Sequence, residues 1–148
     1  MTFALFLHVL ADVVWIGGMF LAYMAVRPAA TEVLTEPPQR LRLWAGIFRR
    51  FFPWVWASVV LLLATGFFMM GMLPRVPMYV IAMTVIGIVM SVIFFYIYFV
   101  PFGQLKRAVA GEDWKSGGAA LNTIRMLVGT NLILGIANIA VAILGRGL

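Results

Sequence analysis

Four stretches of this 148-residue chain, 3–26, 52–73, 78–100 and 126–144, each run for about twenty residues or more without a lysine or arginine. A helix crossing the roughly 30 Å hydrocarbon layer of a bilayer needs about twenty predominantly apolar residues. Inside lipid every backbone N–H and C=O must find an internal partner, so such stretches can only be helices. The pattern predicts an all-α fold, an integral membrane four-helix bundle built as a single domain over residues 1–148. The links between the stretches hold Arg27-Pro28, Pro37-Pro38, Pro74 to Pro77 and Pro101. None is long enough for a second domain.

Charge sets the expected orientation. Arg27, Arg40, Arg42, Arg49 and Arg50 fall in or beside the first link, and Lys106, Arg107, Lys115 and Arg125 in the third. Arg75 and Arg146 stand alone at the opposite ends of the spans. Cytoplasmic loops carry the excess of Lys and Arg, so both termini are expected outside. Residues 1–7 lack the positive charge that precedes a cleaved signal segment, and the first stretch is expected to be a retained helix. In "PPQRLRLWAGIFRRFFPW", Leu41, Trp44, Ile47 and Phe48 alternate with arginines. This predicts an amphipathic interfacial helix whose Arg40, Arg42, Arg49 and Arg50 meet anionic lipid headgroups. "GEDWKSGGAALNTIR" reads as a short helical lead-in to the last span. The lipid bilayer is the expected partner, and nucleic acid is not, because the basic residues lie in short links between spans. The absence of Cys excludes disulfides and thiolate chemistry.

The first stretch, "LFLHVLADVVWIGGMF", holds the sole histidine, His8, and the only acid within any span, Asp12. Ionisable groups inside a membrane are costly and mark function. Offsets of 4, 7 and 11 put His8, Asp12, Trp15 and Met19 on one stripe, beside small residues Ala4, Ala11, Gly18, Ala22 and Ala25. The other spans concentrate polar or small residues in the same way: Trp54, Ser58, Thr65, Met69 and Met72; Thr84, Gly87, Ser91, Phe95 and Tyr98; Asn131, Gly135, Asn138 and Ala142. Matching depths predicts one outward pocket of His8, Met69 and Met72, with Asp12, Thr84 and Asn138 around it. An imidazole with thioethers suits Cu(I), and a histidine in a four-helix bundle equally suits haem iron as a b-type electron carrier. Asp12, one turn from His8, is expected to face it and steady the ring. The interior has no second acid, no lysine and no Ser-His-Asp arrangement, so no hydrolytic role is expected.

"LHVLADVVWIGGMF" resembles the first-helix signature of the copper-resistance protein D (CopD) family, a His followed by an apolar run and Trp-x-Gly-Gly. The similarity continues through "RRFFPWVW" and "IRMLVGTNLILGIANIAVAILGR". It implies a small multi-pass protein of the bacterial inner membrane that binds or passes copper without catalysis, with His8 as the ligand-bearing position. Relatives carry a further His in the third span, where this chain has Tyr96 and Tyr98. The haem-binding protoporphyrinogen oxidases of the HemJ type also place a His on the first helix, but expect a basic residue in a later span, and there is none here. A third reading is an accessory subunit of a larger membrane complex or a homo-oligomer, with the small-residue stripe as its contact face.

Overall fold

The computed structural model describes residues 1–147, and among them there is no β-strand. Four helical stretches are long and apolar enough to cross a membrane: Thr2–Val33, Pro37–Gly71, Met78–Ala110 and Trp114–Gly147. The first contains α1 (Thr2–Leu21), a π-helical turn (Ala22–Val26) and α2 (Arg27–Val33). The second is α3 (Pro37–Gly71). The third is α4 (Met78–Phe99) followed by α5 (Pro101–Ala110), and the fourth is α6 (Trp114–Leu144) with a short 3-10 end (Gly145–Gly147).

Prolines account for the interruptions. Pro28 has no N–H to return to the carbonyl of Met24, and its ring crowds that carbonyl; the wider π turn immediately before it relieves the clash. Pro101 drives Val100 out of the helical region, to φ −111° and ψ −82°, which ends α4. α5 then restarts with that proline in its first turn, where a missing N–H costs nothing.

α1 packs along α3, and α4 along α6, with α6 also reaching α1 and α3. The sequence's inner faces are largely realised: Trp15 and Met19 on α1, Ser58 and Thr65 on α3, Ser91 on α4, and Asn131 and Gly135 on α6 are buried. Trp54 is an exception, 65% exposed, because Val55 and Val59 take the inward position. Asn131 fastens α6 to α4 by donating its side-chain N–H to the Met90 carbonyl at 3.1 Å.

The stretch expected to lie at the interface is instead the beginning of α3. At about 1.5 Å per residue, 35 residues reach about 52 Å, well beyond the hydrocarbon layer. Leu41, Trp44 and Phe48 are buried in the protein core, so that apolar face is spent on α5 and α6. α5 was not legible as an element; it covers this extension with Phe102, Leu105 and Ala108. Phe52 lies at the centre of the resulting aromatic cluster, its ring 5.0 Å from Phe48, 5.5 Å from Phe94 and 4.8 Å from Phe102.

Gly17 and Gly18 make opposite demands. A Cβ on Gly18 would overlap the Phe51 ring, whereas one on Gly17 would meet nothing. Gly18→Val is expected to lower the thermal midpoint in detergent by the equivalent of about 1–3 kcal/mol, the usual cost of overpacking. Gly17→Val is expected to leave the midpoint nearly unchanged. Equal losses for the two would show that Gly18 is not the point of close approach.

Candidate metal site

α1 carries His8 about two turns from its start, on the side that faces α3. Across the contact α3 offers Thr65 and Gly66, a hydroxyl beside a residue with no side chain, between Ala64 and Phe67. His8 Nδ1 lies 2.9 Å from Thr65 Oγ1. Gly66 gives the ring room, since a Cβ there would stand 3.3 Å from His8 Cε1. The threonine hydroxyl already gives its one proton to the Leu61 carbonyl of its own helix. With that proton committed to Leu61, the oxygen is an acceptor for Nδ1–H of the ring. In that tautomer the Nε2 lone pair of His8 is available to a metal.

Asp12 lies one turn further into the bundle and is half-buried, but among the described residues no hydrogen bond joins it to His8. The steadying contact expected of Asp12 is made by Thr65, whose hydroxyl projects directly at the ring from the facing helix. Thr65 is also the α3 residue level with His8. Met69 is half-buried one turn beyond it, about 6 Å along the axis, and Met72, about 10 Å beyond, is 53% exposed. Thr65, Met69 and Met72 share one stripe of α3, so the methionines form a track above His8 and not a shell at its own depth.

Thr84 belongs to a different contact. Its hydroxyl donates to the Val80 carbonyl at 2.8 Å and lies 4.0 Å from the sulfur of Met70. Asn138 is half-buried with its side-chain oxygen lacking any hydrogen-bond partner. α1 and α6 run antiparallel with Ile16 against Gly135 and Tyr23 against Gly129. Asn138 therefore stands nearer the level of Asp12 than that of His8. No group of three or more His, Cys, Asp or Glu side chains placed to hold a metal occurs among the described residues. What the site offers is one oriented imidazole, a nearby thioether and a carboxylate one turn deeper.

The arginines expected at lipid headgroups lie at the opposite end of the bundle. Arg42 pairs with Glu112 at 3.8 Å and covers the Trp114 ring at 5.0 Å. Arg50 donates to the Gly46 carbonyl at 3.1 Å, Arg49 is exposed, and Arg40 is held by the carbonyls of Leu34 and Thr35.

The family model described as Copper resistance protein D matches residues 45–144. The chain belongs to that family. The matched region runs from early in α3 to the end of α6, which makes this a multi-pass membrane protein of the CopD family related to copper resistance. It does not include α1, so the role of His8 rests on the geometry of the α1–α3 contact and on the motif around it. Comparison with curated proteins and with solved structures finds no match.

Proposed function

We propose that this CopD-family protein takes up Cu(I) at His8 Nε2 and passes it along the arginine-poor half of the bundle, with Met72 and Met69 as the thioether approach. The observation that carries this is the contact of His8 Nδ1 with Thr65 Oγ1, 2.9 Å across the α1–α3 packing, which orients the ring and suits the tautomer that keeps a lone pair on Nε2. Soft thioether and imidazole donors suit Cu(I), which tolerates few ligands, and their stacking along one stripe fits passage better than a closed cage. Asp12, one turn deeper, is the next oxygen donor towards the membrane centre. On the expected orientation the approach opens outside the cytoplasm, in the inner membrane of a bacterium.

Haem is less well accommodated. A cofactor of that size needs a site of several hundred Å³. The interior void beside Trp15, Met19 and Asn131 holds about 20 Å³, and a cavity of about 510 Å³ at the other end of the bundle has no residue from the surroundings of His8 in its lining.

Protein purified from copper-supplemented cells is expected to carry near-stoichiometric copper by metal analysis and to show no Soret band. Trace copper, or a Soret band that scales with protein, would overturn the proposal.

A further inference from the structure

A cavity of about 510 Å³ lies at the other end of the molecule, about 28 Å along the first helix from His8. It opens between the π turn with α2, the start of α3, and α6. Three guanidinium groups line it, those of Arg27, Arg40 and Arg125, and no carboxylate does. Its floor is apolar and aromatic, with Trp44, Phe48, Ile124 and Val128.

Each arginine is oriented by a neutral group. Arg27 lies over the Tyr23 ring, 4.8 Å from its centre, and Tyr23 itself is seated against Gly129 of α6. Arg40 is anchored through one nitrogen to the carbonyls of Leu34 and Thr35, at 2.8 and 3.0 Å. Arg125 donates to the side-chain oxygen of Asn122 at 2.7 Å. Among the described residues the one ion pair is Arg42 with Glu112, so none of the three has a carboxylate partner. Their charges are thus undiminished and most of their N–H donors are unspent. Tyr23 reaches this wall from the π turn and Arg27 from the start of α2.

Depth identifies the ligand class. Arg27 follows the apolar run of the first span immediately, and Arg125 precedes that of the last. The cavity therefore straddles the boundary between hydrocarbon and headgroups, with cations on the wet side and an apolar floor on the dry side. We propose that it is a binding site for the phosphate headgroup of an anionic phospholipid. The three guanidinium forks hold the phosphate oxygens, and the acyl chains leave over the apolar floor into the bilayer. This goes beyond general attraction of a basic surface to anionic lipid, because it requires a defined volume and three particular arginines. It does not depend on the copper reading.

The test is native mass spectrometry of the full chain in detergent, titrated with phosphatidylglycerol or phosphatidylcholine. Wild type is expected to retain phosphatidylglycerol selectively. The Arg27→Gln/Arg125→Gln variant is expected to bind it at least about tenfold more weakly, the scale of losing charge-assisted hydrogen bonds. Lys106→Gln/Arg107→Gln removes the same charge outside the cavity and is expected to change nothing. Gly118 lines the cavity and a Cβ there meets no neighbour, so Gly118→Phe fills the space without altering charge and is expected to weaken retention as well. Equal loss from the Lys106/Arg107 variant, no loss from Gly118→Phe, or equal retention of the two lipids would overturn the proposal. So would full displacement by inorganic phosphate, which would identify a free anion as the ligand.

Discussion

A His8→Ala chain prepared from copper-loaded cells is expected to carry no more copper than a membrane protein without a site. Thr65→Val is expected to keep copper but bind it roughly 10–100-fold more weakly, the usual scale for a group that orients a metal-ligating histidine. The two substitutions act on one ring from opposite sides. Removing His8 deletes the only imidazole in the chain. Removing the Thr65 hydroxyl leaves the ring in place while freeing Nδ1, so the hydrogen can move to Nε2 and the lone pair turn away from the metal. Thr65→Ser keeps an acceptor at the same position and is expected to restore most of the affinity. Equilibrium competition against a calibrated Cu(I) chelator measures all three. Copper retained by His8→Ala would remove the imidazole from the site altogether. A Thr65→Val chain with wild-type affinity would show that the ring is steadied by something else.

Phe52→Ala is expected to cost about 3 kcal/mol, at the lower end of the range for a buried phenylalanine. The ring is 3% exposed and has aromatic neighbours on three helices: Phe48 on its own helix, Phe94 and Tyr98 on α4, and Phe102 on α5. Truncation would leave a void where α3, α4 and α5 meet. In lipid the transfer term is small, since acyl chains are as apolar as side chains, and packing carries the interaction. That argument also predicts the contrast. Phe3, 71% exposed on α1, is expected to tolerate alanine with little change because lipid replaces the lost ring. Unfolding in detergent followed by circular dichroism compares them, and equal effects would show that the aromatic cluster is not a stabilising core.

The two sites were legible to different degrees. The stripe bearing His8, Asp12, Trp15 and Met19 turns inward as its spacing requires, because polar groups avoid lipid. Thr65 sat visibly on the matching face of α3, but nothing in one-dimensional spacing distinguishes it from Met69 as the neighbour of His8. That choice depends on how far two helices slide past each other. A signal was present nevertheless: Ala64-Thr65-Gly66 sets one hydroxyl among small residues within the apolar run from Leu61 to Met70, where a bulky ring from another helix could fit. The same sliding sets Met69 and Met72 one to two turns beyond the level of His8.

The sequence by itself determined the four apolar stretches, the collection of nine of the eleven Lys and Arg residues in the first and third links, and most of each helix's inward face, Trp54 and Met72 excepted. Those follow from chain-local physics: hydrocarbon thickness, helical period and the cost of leaving polar groups in lipid. Only the tertiary structure decided that Leu41, Trp44 and Phe48 pack inward instead of lying on the membrane, and that α5 closes over them. Only it decided that Thr65, not Asp12, holds the His8 ring, and that Arg27, Arg40 and Arg125 come from three helices to line one cavity. An amphipathic face records that it must be covered but not by what, because lipid and protein are equally apolar; helix register against helix alone supplies the answer.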